Sequence, residues 1–314
     1  MSKDQNKEIT FEALFDKWLE DKSKNVNEHT ITIYRSYFDK YLPEHLKSCA
    51  VNRIYPDEWS DIKSDMLDGT APNGSKVPNT TARQALSVYR SAFAYGENMF
   101  GLNNPAKDEQ ISSKTMYSVT VFTEAEVKKM IKAIKPFDIY HLGIMICLYT
   151  GIEINEICAL KWGNIDTENG LLMIHKVIGC INKSKGFVKD NVVLVEPKNR
   201  RVIRDLPIPT WIVKQLGIMK PIHDDEEFFL AGQDGNAYPT TFRTKYSVFL
   251  KNAGIEKRII NALRHTFAMT CIKKNVDVKT LSEMLGHSNS TVTIRMYYGV
   301  RKKDKREIIE NLYG

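Results

Sequence analysis

The chain has 314 residues, 42% hydrophobic and 26% charged, with a formal net charge of +7. That is enough for one large or two ordinary domains with a real core, and the positive balance permits nucleic-acid binding without requiring it. MSKDQNKEIT has no apolar signal core, no apolar run is long enough to span a membrane, and Cys49, Cys147, Cys158, Cys180 and Cys271 lie far apart with no paired metal-type spacing, so a cytoplasmic, reduced protein is expected.

Phe11, Leu14, Phe15, Trp18 and Leu19 make a helical stripe with Thr10 as candidate cap. A second helix is expected from about Glu28 to Leu42, with Tyr34, Phe38 and Tyr41 inward. Pro56 suits the first turn of a third, which carries Trp59, Ile62 and Met66 and ends at Gly69. GTAPNGSKVP is loop by composition, and Asn79 is placed as the cap of a fourth helix carrying Ala82, Leu86, Tyr89 and Phe93. GLNNPAK reads as a linker after this helical module. The polar face of the module holds Lys22, Lys24, Arg35, Arg83 and Arg90 with Thr30, Thr80 and Thr81. Such groups suit DNA phosphates, and equally a solvated helix surface.

Thr123 and Glu126 form a capping box ahead of Val127, Met130, Ile131 and Ile134. YHLGIMICLY reads as a short buried helix ending at Thr150-Gly151, and IEINEICALKW is helical with Ile154, Ile157 and Leu160 on one side. The period then changes to two, so LLMIHKVI, NVVLVE and RRVIRDLPI are expected to be three strands. Lys198 lies in the connection PKNRR, where a flexible lysine could swing toward a ligand. Helices resume around Trp211 and from Thr240 to Asn252, with Phe242, Tyr246 and Phe249 inward.

Asn261 and Arg264 then share one face of a helix whose packing face carries Leu263, Phe267 and Cys271. The next helix, with Leu281, Met284 and Leu285 apolar, stops at Gly286, which suits a left-handed cap and delivers His287 into the following loop. Tyr297 comes ten residues later. An arginine, a histidine and a tyrosine on three packed segments point to chemistry on a phosphate. The tail RKKDKREIIENLYG is basic, then amphipathic, with Ile308, Ile309 and Leu312 as an apolar edge.

ALRHTFA, LGHSNSTVTIRMYYGV, TGIEINEICALKW and EPKNRRVIRDLPI resemble, in order and spacing, the motifs of the tyrosine recombinase (phage integrase) family. The resemblance implies a mainly α fold with a small antiparallel β-sheet. It implies a helical core-DNA-binding (SAM-like) domain at 8–106, a linker at 107–119, and a mixed α+β catalytic domain with a C-terminal tail at 120–314. The arm-binding domain of many phage integrases is not expected.

By the same resemblance Tyr297 is the nucleophile that attacks a scissile DNA phosphate, leaving a 3′-phosphotyrosine and a free 5′-hydroxyl. The covalent intermediate stores the bond energy, so no energy-supplying cofactor is implied, and no metal is required where side chains carry the charge. Arg264 would hold the non-bridging oxygens, Lys198 would protonate the leaving oxygen, and His287 would assist. Tyr297 is preferred to Tyr298 because Val300 matches the family's closing valine, although Gly299 stands at its usual histidine. The implied partners are duplex recombination sites of a mobile element and three further copies of the chain, docked through the tail.

Two positions depart from the family pattern. Asn261 stands at a usual histidine and can still hydrogen-bond a phosphate oxygen, whereas Glu153 replaces the first catalytic arginine and reverses its charge. A lost preorganised donor costs about 3–4 kcal/mol, and a carboxylate about 5 Å from a phosphate adds roughly 3 kcal/mol of repulsion at an effective dielectric near 20. The rival reading is therefore a catalytically weak homologue that binds DNA or regulates.

Overall fold

The computed structural model describes residues 9–26, 28–71, 74–107, 119–180, 192–196, 203–232 and 235–297. These fall into two compact units, the first up to residue 107 and the second from residue 119.

The first unit is helical: α1 Phe11–Ser23, α2 Glu28–Tyr41, α3 Glu44–Ser48, α4 Pro56–Leu67 and α5 Asn79–Phe100. Thr10 caps α1 by accepting from the Ala13 backbone N–H, and the predicted stripe of α1 is buried. Its aromatic residues form the centre of the core, with Phe11 stacked on Phe93 at 4.3 Å and Phe15 on Phe38 at 4.2 Å. Two expectations need correction. Asn79 does not cap α5; Pro78 takes that place, while the Asn79 amide donates to the Leu67 carbonyl and accepts from Arg83 Nε. GLNNPAK is not a free linker, because Leu102 and Ala106 are buried in this core and Asn103 bonds to Asn52 and to the Ile54 carbonyl.

In the second unit, the helices α6 Glu124–Lys132, α7 Ile139–Thr150 and α8 Ile154–Ala159 precede the strands. The Thr123–Glu126 capping box forms as its spacing predicts. Helix α7 is buried almost all round, as its uniformly apolar sequence demands, and packs on α10 Pro239–Asn252 and α11 Asn261–Lys273. A three-stranded antiparallel sheet orders β1 Ile165–Asp166, β2 Leu171–Ile174 and β5 Arg204–Pro207. Strands β3 Val177–Cys180 and β4 Val192–Val195 pair separately. LLMIHKVI is therefore two strands in two sheets, broken at His175-Lys176. Helix α9 Thr210–Met219 follows β5, and the chain ends, as described, in α12 Val278–Leu285 and α13 Ser290–Tyr297. No helix among the described residues is long and apolar enough to cross a membrane.

Candidate active site

Helix α11 carries the centre of the site. Buried Arg264 donates from Nη1 to the Gly151 carbonyl at 2.6 Å and from Nη2 to the Leu285 carbonyl at 2.7 Å. Gly151 closes α7 and Leu285 is the last residue of α12, so the guanidinium sits on the electronegative ends of two helices. Gly151 lies in the left-handed region at φ 69°, and a Cβ there would come within 2.6 Å of Phe267. The left-handed turn that presents the Gly151 carbonyl to Arg264 therefore needs glycine.

Gly286, at φ 70°, ends α12 as predicted: its N–H donates to the Glu283 carbonyl, and the His287 N–H donates to that of Ser282. The half-buried His287 then bonds through Nδ1 to Thr293 Oγ1 at 2.7 Å. Arg204 locks this turn from behind. Its Nε donates to the Met284 carbonyl at 2.7 Å, and its two terminal nitrogens hold Glu156 at 2.7 and 3.0 Å. A Cβ on Gly286 would lie 2.8 Å from Arg204 Nη1, so turn and guanidinium pack directly together.

Tyr297, the last residue of α13, has no exposed surface and packs against Phe267, Leu281 and Leu285. Its hydroxyl lies 2.8 Å from His265 Nδ1. Burial pushes the phenol above its ordinary value; Arg264 opposes this and Glu153 adds to it. Burial, then Arg264, lowers His265. Burial, then Arg264 and Arg204, pushes His287 down to about 4, against Glu156.

Glu153 stands at the start of α8, its backbone N–H donating to Glu156 Oε2 at 2.8 Å. Its carboxylate lies 3.3 Å from Arg264 Nη2, with the Glu153 side chain 54% exposed and that of Arg264 only 8%. Asn261 is exposed on the first turn of α11. Lys198, Tyr298 and the tail lie outside the described residues. Of the basic residues expected at DNA, Lys22 lies over the Trp18 ring, Lys24 pairs with Asp21, and Arg35 pairs with Asp16 beside Phe15 and Phe38. Arg90 lines a cavity with Ser87, Asn104 and Lys107.

Sequence reasoning assigned no role to His265, Glu156, Arg204 or Thr293. Thr293 lies one helical turn before Tyr297, the one local signal among them. The depressed histidines carry a pH prediction. The unfolded chain protonates His287 near 6.5, whereas the folded chain resists until about 4. Stability is therefore full above 6.5 and falls as pH drops through that window. Urea midpoints measured across it should decline, and His287→Gln should flatten the slope.

Residues 120–304 match the phage integrase family, and residues 10–66 match its N-terminal SAM-like domain. A tyrosine recombinase XerC-like protein of Caldanaerobacter subterraneus is 28% identical over 211 residues, which span 62% of this chain and about half (54%) of that relative. Tyrosine recombinase XerA of Thermococcus kodakarensis is 25% identical over 91% of this chain and 92% of its own. In fold, the chain is similar to the Tn1549 transposon integrase solved with circular intermediate DNA, with a TM-score of 0.78, 20% identity, and coverage of 97% of this chain and 99% of that one. The family match spans more than half of the sequence and includes α11, α12 and α13, so this chain belongs to the phage integrase family of tyrosine recombinases.

Proposed function

We propose that this protein is a site-specific recombinase that cuts and rejoins DNA in the cytoplasm through a 3′-phosphotyrosine at Tyr297. The observation that carries the reading is the arrangement around α11, where buried Arg264 is charged, preorganised and electrostatically coupled to both Tyr297 and His287. A scissile phosphate that displaces the Glu153 carboxylate here meets a guanidinium already held in place by two backbone carbonyls. Lys198 protonates the leaving 5′ oxygen, and Asn261 hydrogen-bonds a non-bridging oxygen. The helical domain at 8–106 grips the duplex through Lys22, Lys24, Arg35, Arg83 and Arg90, joined by a linker at 107–119 to the catalytic domain at 120–314. Four copies, docked through their tails, act on two sites of a mobile element.

A second reading keeps the DNA binding and loses most of the chemistry. It is favoured by Glu153, which occupies Arg264 at 3.3 Å. Covalent capture from a pool of nicked duplexes of random sequence separates the two. Wild type should accumulate a denaturation-resistant protein–DNA adduct, and Tyr297→Phe should reduce it to background. Selective DNA retention with no adduct supports the second reading.

A further inference from the structure

We propose that His265 takes the phenolic proton from Tyr297 as the tyrosine attacks, and returns it when the strand is rejoined. This rests on the reading of Tyr297 as the nucleophile. His265 Nδ1 lies 2.8 Å from the phenolic oxygen, with the two rings edge to face at 5.7 Å and 60°. Among the described residues, it is the hydrogen-bond partner of that oxygen. Tyr297 has no exposed surface, so a phosphate reaches the phenol only once the groups covering it move aside, and the phenol is a weaker acid than usual. Ionisation there needs a built-in acceptor.

The alternatives on neighbouring elements are committed or chemically unsuited. The Asn261 amide, one turn earlier on α11, does not accept a proton at neutral pH. His287 Nδ1 is engaged by Thr293, and the Glu153 carboxylate pairs with Arg264. Burial and Arg264 favour the neutral form of His265, and in the tautomer that carries its proton on Nε2 the Nδ1 atom accepts from the phenol. The charged groups acting on the pair are Arg264 from α11 and Glu153 from the start of α8. Arg264 disfavours the imidazolium until a phosphate brings negative charge to the site.

The step balances. As the bond from Tyr297 oxygen to phosphorus forms and the bond from phosphorus to the 5′ oxygen breaks, the phenolic proton moves to His265 Nδ1. The leaving 5′ oxygen takes one proton from Lys198. Rejoining runs the same transfers backward.

The test uses a captured duplex, resynthesised with sulfur in place of the scissile 5′ oxygen. A thiolate leaves without a proton, so Lys198→Ala should approach wild type on this substrate. His265→Asn keeps a polar atom near Nδ1 and accepts no proton. It should form adduct about a hundredfold more slowly on the same substrate. Wild type should lose rate as pH falls, with an inflection below the ordinary imidazole value of 6.5, and His265→Asn should not show that inflection. His265→Gln serves as a second variant, with folding checked by circular dichroism. Rates within about threefold of wild type and an unchanged pH profile would overturn the proposal while leaving Tyr297 as nucleophile. Absence of adduct in both wild type and Glu153→Arg overturns the nucleophile and this proposal together.

Discussion

Glu153→Arg should raise the rate of covalent adduct formation by about 10²–10³, the worth of one preorganised donor to a developing oxyanion. Two effects separate wild type from that variant: the missing donor and the added negative charge. The Glu153 side chain is 54% exposed, so solvent and salt screen its repulsion of a phosphate. The missing donor is the larger effect. Glu153→Gln isolates the charge, because it removes the ion pair with Arg264 without supplying a guanidinium. Its gain should be the smaller of the two. Single-turnover capture rates at two ionic strengths measure both variants. If wild type is already fast and Glu153→Arg changes nothing, the missing arginine has been assigned to the wrong position. The bond from the Glu153 backbone N–H to Glu156 survives both substitutions, so any shift in melting temperature reports what the Glu153 side chain contributes at the start of α8 and to Arg264.

Arg204→Met should destabilise the second unit by about 3–5 kcal/mol, the cost of leaving a buried carboxylate without its partner. The side chains of Arg204 and Glu156 are 8% and 4% exposed and joined by two hydrogen bonds. Replacing both, as Arg204→Met with Glu156→Leu, should recover about half of the loss or more, because apolar groups of similar size then fill the space. Urea unfolding of the full chain gives both numbers. A single variant within about 1 kcal/mol of wild type would mean that water reaches Glu156 more easily than its burial implies. Arg204 also packs against Gly286, so the single variant should loosen the turn that carries His287.

What the sequence made legible was local. The Thr10 cap, the Thr123–Glu126 box, the helix end at Gly151 and the left-handed stop at Gly286 each depend on residues within one or two turns, and each forms. The five-residue α3, EHLKS, is too short to show a helical period. In LLMIHKVI the alternation runs straight through a break, because period two records which face a residue occupies and not which strand it pairs with. The site divides in the same way. Arg264, His287 and Tyr297 stand in recognisable motifs, whereas the His265–Tyr297 bond joins residues 32 apart and the Arg204–Glu156 pair joins residues 48 apart. Such pairings become visible only when the helices pack. Asn79 misled because its polar side chain suits a cap, yet the neighbouring Leu67 carbonyl and Arg83 claim it.

Arg264 and position 153 differ in how much of the fold depends on them. Arg264 ties the ends of α7 and α12 together from inside the protein. A chain that loses it forfeits folded protein as well as chemistry, and is removed by any selection for solubility or abundance. Glu153 stands at the rim with its side chain 54% exposed, and an arginine in its place would serve the phosphate more than the fold. Folding therefore gives no protection to that position; only use of the reaction does. Were recombination no longer rewarded, a charge at this position would be the first to go, with the packed helices left intact. The same asymmetry would make such a loss reversible, since changing that one codon would restore the charge to a scaffold of unaltered shape.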